Sequence, residues 1–176
     1  MQARLLLAIF DSIYVFALTA WVGSILFLSF AVAPIIFRVL DKESGARFVR
    51  ALFPRYYAWG VVSSAVALPC LVCGSLSFPE LRGPMVGVQA ALIAAGLGIM
   101  LYCGNTLTPA INQARDEGPG SADRFERLHK RSVILNAVAL LIGTVLLVAF
   151  ATRRPPRTSG SEDRRPRERA EAAGRP

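Results

Sequence analysis

Histidine is almost missing from this chain of 176 residues, with His129 standing alone, and cysteine is limited to three positions. One imidazole excludes any centre built from several histidines. Haem would need a second axial ligand, and Met100 is the single methionine deep in an apolar stretch. Cys70 and Cys73 share a helix face and form a pair able to hold Cu(I). Cys103 does not complete the site, because ~1.5 Å per residue, counted from the common loop side, puts Cys70 about 20 Å deep and Cys103 about 8 Å deep. Buried small side chains are the default for such thiols. A phosphate loop, a dinucleotide glycine motif, zinc spacing and a nucleophile elbow are missing too. The expectation is therefore a protein with no catalytic residue, no cofactor and no metal.

Apolar residues make up 53% of the chain and the mean hydropathy is +0.45, more than a soluble domain of this size can bury. Uncharged runs cover residues 12–37, 56–79, 83–114 and 132–152. Each reaches the roughly 20 residues that cross a ~30 Å hydrocarbon core as a helix. The prediction is an all-α integral membrane protein, a four-transmembrane-helix bundle with spans near 5–37, 56–79, 84–108 and 132–152. The first span is too long for a secretory h-region, and Pro34 follows its only Ala-x-Ala site, so it reads as an anchor.

Only PELRG separates the second and third spans, which predicts a tight antiparallel hairpin. The other connections, 38–55 and 115–131, read as long charged loops. In the first, Phe48, Val49, Leu52 and Phe53 recur at helical spacing opposite Arg47 and Arg50, predicting an amphipathic interfacial helix ended by Pro54. The two halves also repeat weakly: Pro34 matches Pro109, and Arg47-Phe48 matches Arg124-Phe125. That pattern is expected of a duplicated helical hairpin inserted twice in the same sense.

Residues 153–176 hold eight arginines, four prolines and no Ile, Leu, Val, Met or aromatic residue. Such a tail cannot bury a core and is expected to be disordered and solvated. No aromatic residue interleaves with its arginines, so nucleic acid is not an expected partner. Ten Lys/Arg in the long loops balance Arg4, Arg82 and the eight of the tail. Weighting charges near the first span favours cytoplasmic loops in a multi-pass protein of the cell membrane.

Polar groups in the spans are the natural functional candidates, since each is costly in lipid unless partnered. Asp11 is the only acid there, a possible ion or proton site or, as the commoner case, a rim salt bridge with Arg4. His129, Ser132 and Asn136 stand at i, i+3 and i+7 and share one helix stripe. Asn105, Thr108 and Asn112 end the third span at the same membrane face. The six form a candidate polar pocket; the plainer reading is that Ser132 and Asn136 bond across helices while His129 caps or snorkels. Gly23, Gly60, Gly96, Gly98 and Gly143 are expected to permit close helix approach.

The set Trp21-x-Gly23, Phe37, Leu52-Phe53-Pro54-x-Tyr56-Tyr57 and Phe125-x-x-x-His129-x-x-Ser132-x-x-x-Asn136 resembles the uncharacterised four-helix membrane family typified by transmembrane protein 205, also called domain of unknown function 4149. The resemblance implies four spans, with Phe53 and Pro54 seating the loop helix and Tyr56 and Tyr57 in the aromatic belt; it supplies no reaction. A fainter likeness reaches copper-resistance D-type proteins and haem-linked porphyrinogen oxidases, and the single histidine departs from it. The leading functional expectation is a structural or accessory protein, with the bilayer, a second copy or another membrane protein as partner. Transport of a small solute or ion, and copper- or haem-linked redox chemistry, are the alternatives.

Overall fold

The computed structural model describes residues 2–153, apart from the side chains of residues 3, 4 and 80. The expected tail from 154 onward lies outside the described residues. Four helices are long and apolar enough to cross a membrane: α1 (Leu5–Val39), α2 (Lys42–Ser77), α3 (Pro84–Asp116) and α4 (Pro119–Ala151). No strand occurs among the described residues. Each helix packs on its two neighbours in a ring, α1 on α2 and α4, α3 on α2 and α4.

The charged segments between spans are helix rather than loop. α1 and α2 are separated only by Leu40 and Asp41, and α3 and α4 by Glu117 and Gly118, whose φ of +78° suits a residue without a Cβ. The expected interfacial helix is thus the first third of α2, and Pro54 lies inside that helix instead of ending it. Local chemistry explains the continuity. Asp41 caps α2, its Oδ1 accepting from the N–H groups of Glu43 and Ser44 at 3.0 Å each. These bonds, Ser44's first, hold the Asp41 carboxyl below its ordinary value. Glu43 faces Arg47 one turn on. At the start of α4, the Ser121 hydroxyl and then Arg124 hold the Glu117 carboxyl below its ordinary value. At the opposite end PELRG makes the predicted tight connection, closed by a 3₁₀ turn, and Arg82 donates to the last carbonyls of α2, those of Ser75 and Leu76.

Two irregularities recur at one spacing, as the expected duplication would require. α1 widens into one π-turn at Leu28–Val32 and α3 into one at Cys103–Leu107, each position of the second lying 75 residues after its counterpart. Ala33 N–H bonds the Leu28 carbonyl and Thr108 N–H the Cys103 carbonyl, five residues back in both cases. A proline follows each, Pro34 and Pro109, again 75 apart. Proline lacks an N–H and its ring crowds the carbonyl four residues before it, and the wider turn relieves that crowding. The buried stripes obey the same spacing: Leu18, Trp21 and Ile25 in α1 answer to Ile93, Gly96 and Met100 in α3.

The core is a layer of these side chains with Tyr57 and Ala67 of α2 and Ala139 and Leu146 of α4. Glycine sets its spacing. A Cβ on Gly96 would lie 2.0 Å from Trp21 Cη2, one on Gly60 2.7 Å from Met100 Sδ, and one on Gly143 2.6 Å from Val22 Cγ2. Gly23 and Gly98, expected to do the same, face outward with nothing within 4 Å. Outside, Phe16, Phe27, Val88, Leu141 and Val148 are exposed, the inside-out surface of a bundle that meets lipid.

Candidate functional site

Where α2 and α4 approach each other, their inward polar side chains form a closed knot. Tyr56 and Tyr57 are adjacent on α2, with ring centroids 4.9 Å apart, and both pack on Phe53 one turn earlier. Asn136 of α4 reaches them both. Its Oδ1 accepts from the Tyr56 hydroxyl at 2.6 Å, and its Nδ2 donates to the Tyr57 oxygen at 2.9 Å and to the Ser132 carbonyl at 3.0 Å. The Tyr57 and Ser132 hydroxyls share a further bond of 3.1 Å. Three of the amide's four hydrogen-bonding positions are filled, and Tyr56, Tyr57 and Ser132 are buried. In an apolar surrounding, such bonds leave no competing water and join the two hairpins directly.

The other members of the expected pocket do not join this knot. His129 is exposed, its ring stacked on Phe125 at 5.9 Å with 1° between planes. The Arg115 guanidinium lies over the other partner of that stack, 5.0 Å from the Phe125 centroid. Asn105 is exposed and Asn112 half-buried. Thr108 is buried, but its hydroxyl donates at 2.8 Å to the Cys103 carbonyl within its own π-turn. Of the six residues, only Ser132 and Asn136 are joined by hydrogen bonds. Sequence spacing places side chains along a helix and not around a neighbour, so it missed Tyr56 and Tyr57 as the actual partners; two hydroxyls entering an apolar run were the available signal.

Asp11 is paired at the opposite end of the bundle. Its carboxylate accepts from Arg153 at the end of α4, and Arg153 also lies over Phe150 at 4.4 Å. The expected partner, Arg4, has a side chain outside the described residues. A shallow open groove beside Asp11 is lined by Ser12, Val15, Phe16, Thr19 and Phe150. Arg50 and Asp116 form a second tie between hairpins, at 2.5 Å. Cys73 is exposed, Cys70 half-buried and Cys103 buried, all as free thiols. Among the described residues no three His, Cys, Asp or Glu side chains converge as metal ligands.

These features define a bundle of two helical hairpins, long and apolar enough to cross a membrane and joined by a polar knot and two ion pairs. Residues 16–119, more than half of the chain, match the family described as Domain of unknown function (DUF4149), and the chain belongs to that family. The match takes in Trp21, Gly23, Phe37, Phe53, Pro54, Tyr56 and Tyr57 and ends before Phe125, His129, Ser132 and Asn136. Neither any curated protein nor any solved structure matches the chain.

Proposed function

We propose that this protein is a structural or accessory component of the cell membrane, a scaffold that acts through its lipid-facing surface by holding another membrane protein or a second copy of itself. The Asn136 knot carries the reading: the polar groups best placed to line a path or a ligand site spend their hydrogen bonds on one another. They latch one hairpin to the other. Gly60, Gly96 and Gly143 close the remaining interior around Met100, Trp21 and Val22. The orientation that fits best has the two hairpin turns in the cytoplasm. Five of the ten Lys/Arg at the turns, Arg38 to Arg55, directly follow the first span, whose flanking charges are given the greater weight in setting orientation.

The test is reconstitution of the full chain into liposomes, with proton, ion and small-solute flux followed alongside a visible spectrum and metal analysis of the same preparation. A scaffold gives flux equal to empty vesicles and a featureless spectrum. Saturable flux above that of empty vesicles, selective for one ion or solute, would establish transport. A Soret band or stoichiometric metal lost in His129→Ala would establish the redox reading instead.

A further inference from the structure

The repeat is symmetric in its bulges and buried stripes but not at its turns. After the first bulge the chain reads PIIFRVL, and after the second PAINQARDE. In the first hairpin Ile35, Phe37 and Val39 are all exposed, Phe37 keeping 79% of its surface and Val39 72%, with Leu40 next to them and Phe48 exposed on the start of α2. The second hairpin has Asn112, Gln113 and Arg115 in the corresponding turn of helix, and its Phe125 is covered by His129 and Arg115. Charge divides the same way. From Pro34 to Arg55 there are five cations against two acids, Asp41 and Glu43, whereas from Pro109 to Arg131 five cations face four acids, Asp116, Glu117, Asp123 and Glu126.

Height makes the apolar corner a physical problem. A Cβ on Gly45 would touch Ile36 at 3.5 Å, so Ile36 is level with residue 45 of α2. Arg55, the last charge before the apolar part of α2, is ten residues further on, or about 15 Å along the axis. In an upright bundle with Arg55 and Arg131 at the hydrocarbon edge, Phe37 and Val39 would stand in water beyond a headgroup layer about 5–8 Å deep. A tilt of about 20°, ordinary for membrane helices, lowers one side of a ~20 Å wide bundle by roughly 7 Å relative to the other. With the far side held in place, the level of Ile36 comes down from about 15 Å to about 8 Å, the outer margin of the headgroups.

We infer that the turn of the first hairpin is a membrane-surface wedge: the bundle leans toward it, Ile35, Phe37, Val39 and Leu40 enter the interface of an anionic leaflet, and Arg38 and Lys42 bind its headgroup phosphates. The turn of the second hairpin stays in water. Exposed phenylalanine interleaved with exposed arginine and lysine is the composition that binds an anionic lipid surface, through apolar insertion and about 1 kcal/mol per cation near the surface.

The experiment uses the full chain with its three cysteines replaced by alanine, one copy per nanodisc, and an environment-sensitive fluorophore on Phe37→Cys or Asn112→Cys. In discs containing phosphatidylglycerol, the label at 37 is expected to be several-fold less quenched by aqueous iodide than the label at 112 and more quenched by lipid nitroxides. Arg38→Gln with Lys42→Gln should return it toward the value at 112. On the unaltered chain, hydroxyl-radical labelling of Phe37 should fall several-fold when phosphatidylglycerol replaces part of the phosphatidylcholine. Equal iodide access at 37 and 112 overturns the proposal, as does radical labelling indifferent to lipid charge. Shielding seen only in discs holding two copies also overturns it and assigns the corner to self-association.

Discussion

Trp21 of α1 lies against Gly96 of α3, the position 75 residues on that repeats it, so the largest side chain of one hairpin fills the space left by the smallest residue at the matching place in the other. Contact between equivalent positions places them beside the axis relating the hairpins. Two tryptophans would collide there and two glycines would leave a void. The bundle closes at this point because the two paired positions differ in size.

Gly96→Leu should therefore destabilise the bundle. Even a Cβ would sit 2.0 Å from a ring that cannot bend away, and overpacking of this kind costs about 1–3 kcal/mol. The melting temperature in mild detergent should drop by several degrees, while Gly98→Leu, pointing into open space, should leave it unchanged.

Asn136→Ala removes the centre of the polar knot and leaves the Tyr56 and Tyr57 hydroxyls buried without that partner. The expected loss is about 1–3 kcal/mol, toward the lower end if the unfolded chain in lipid finds other partners. Tyr56→Phe in the same background should recover part of it by removing a stranded hydroxyl. His129→Ala, at an exposed site, should stay within about 0.5 kcal/mol of wild type. Unfolding in mixed micelles followed by far-UV circular dichroism reads all three.

Asp11 and Arg153 tie the start of α1 to the end of α4. Asp11→Asn or Arg153→Gln should each loosen that end, measured as faster amide hydrogen exchange in the last turn of α4, and Asp11→Arg with Arg153→Asp should restore protection. Two single losses without rescue would mean that neither charge acts through the other.

The Asp41 cap gives a pH dependence. Hydrogen bonds from Ser44 and Glu43 lower the folded-state pKa, so their contribution is complete above the unfolded carboxyl value of about 3.9 and disappears as pH falls through the folded one. Amide protection of Glu43 and Ser44, corrected for the intrinsic pH dependence of exchange, should collapse in acid in wild type and stay flat in Asp41→Asn.

The spans were legible in the sequence because uncharged runs of 21 residues or more have no other home, and the repeat was legible through Pro34 and Pro109, which mark the two bulges. The bulges themselves were not, since widening a helical turn leaves composition unchanged. Charged segments 38–55 and 115–131 read as loops because charge excludes the membrane; it does not exclude helix, and the Asp41 cap with the Glu43–Arg47 pair carries α2 through the first of them. Ser132 and Asn136 were found by their shared stripe. Their tyrosine partners depended on the relative rotation of α2 and α4, which no single-helix period contains.

The packing of the two hairpins is tested most directly by exchanging size across their axis. Trp21→Gly leaves a void and Gly96→Trp a collision, and each alone should lower the melting temperature of the full chain in detergent. If the positions are equivalents meeting at the axis, the double exchange should melt well above either single variant, with a coupling of at least about 1 kcal/mol. A double variant no more stable than the sum of its two losses would contradict the duplicated-hairpin arrangement.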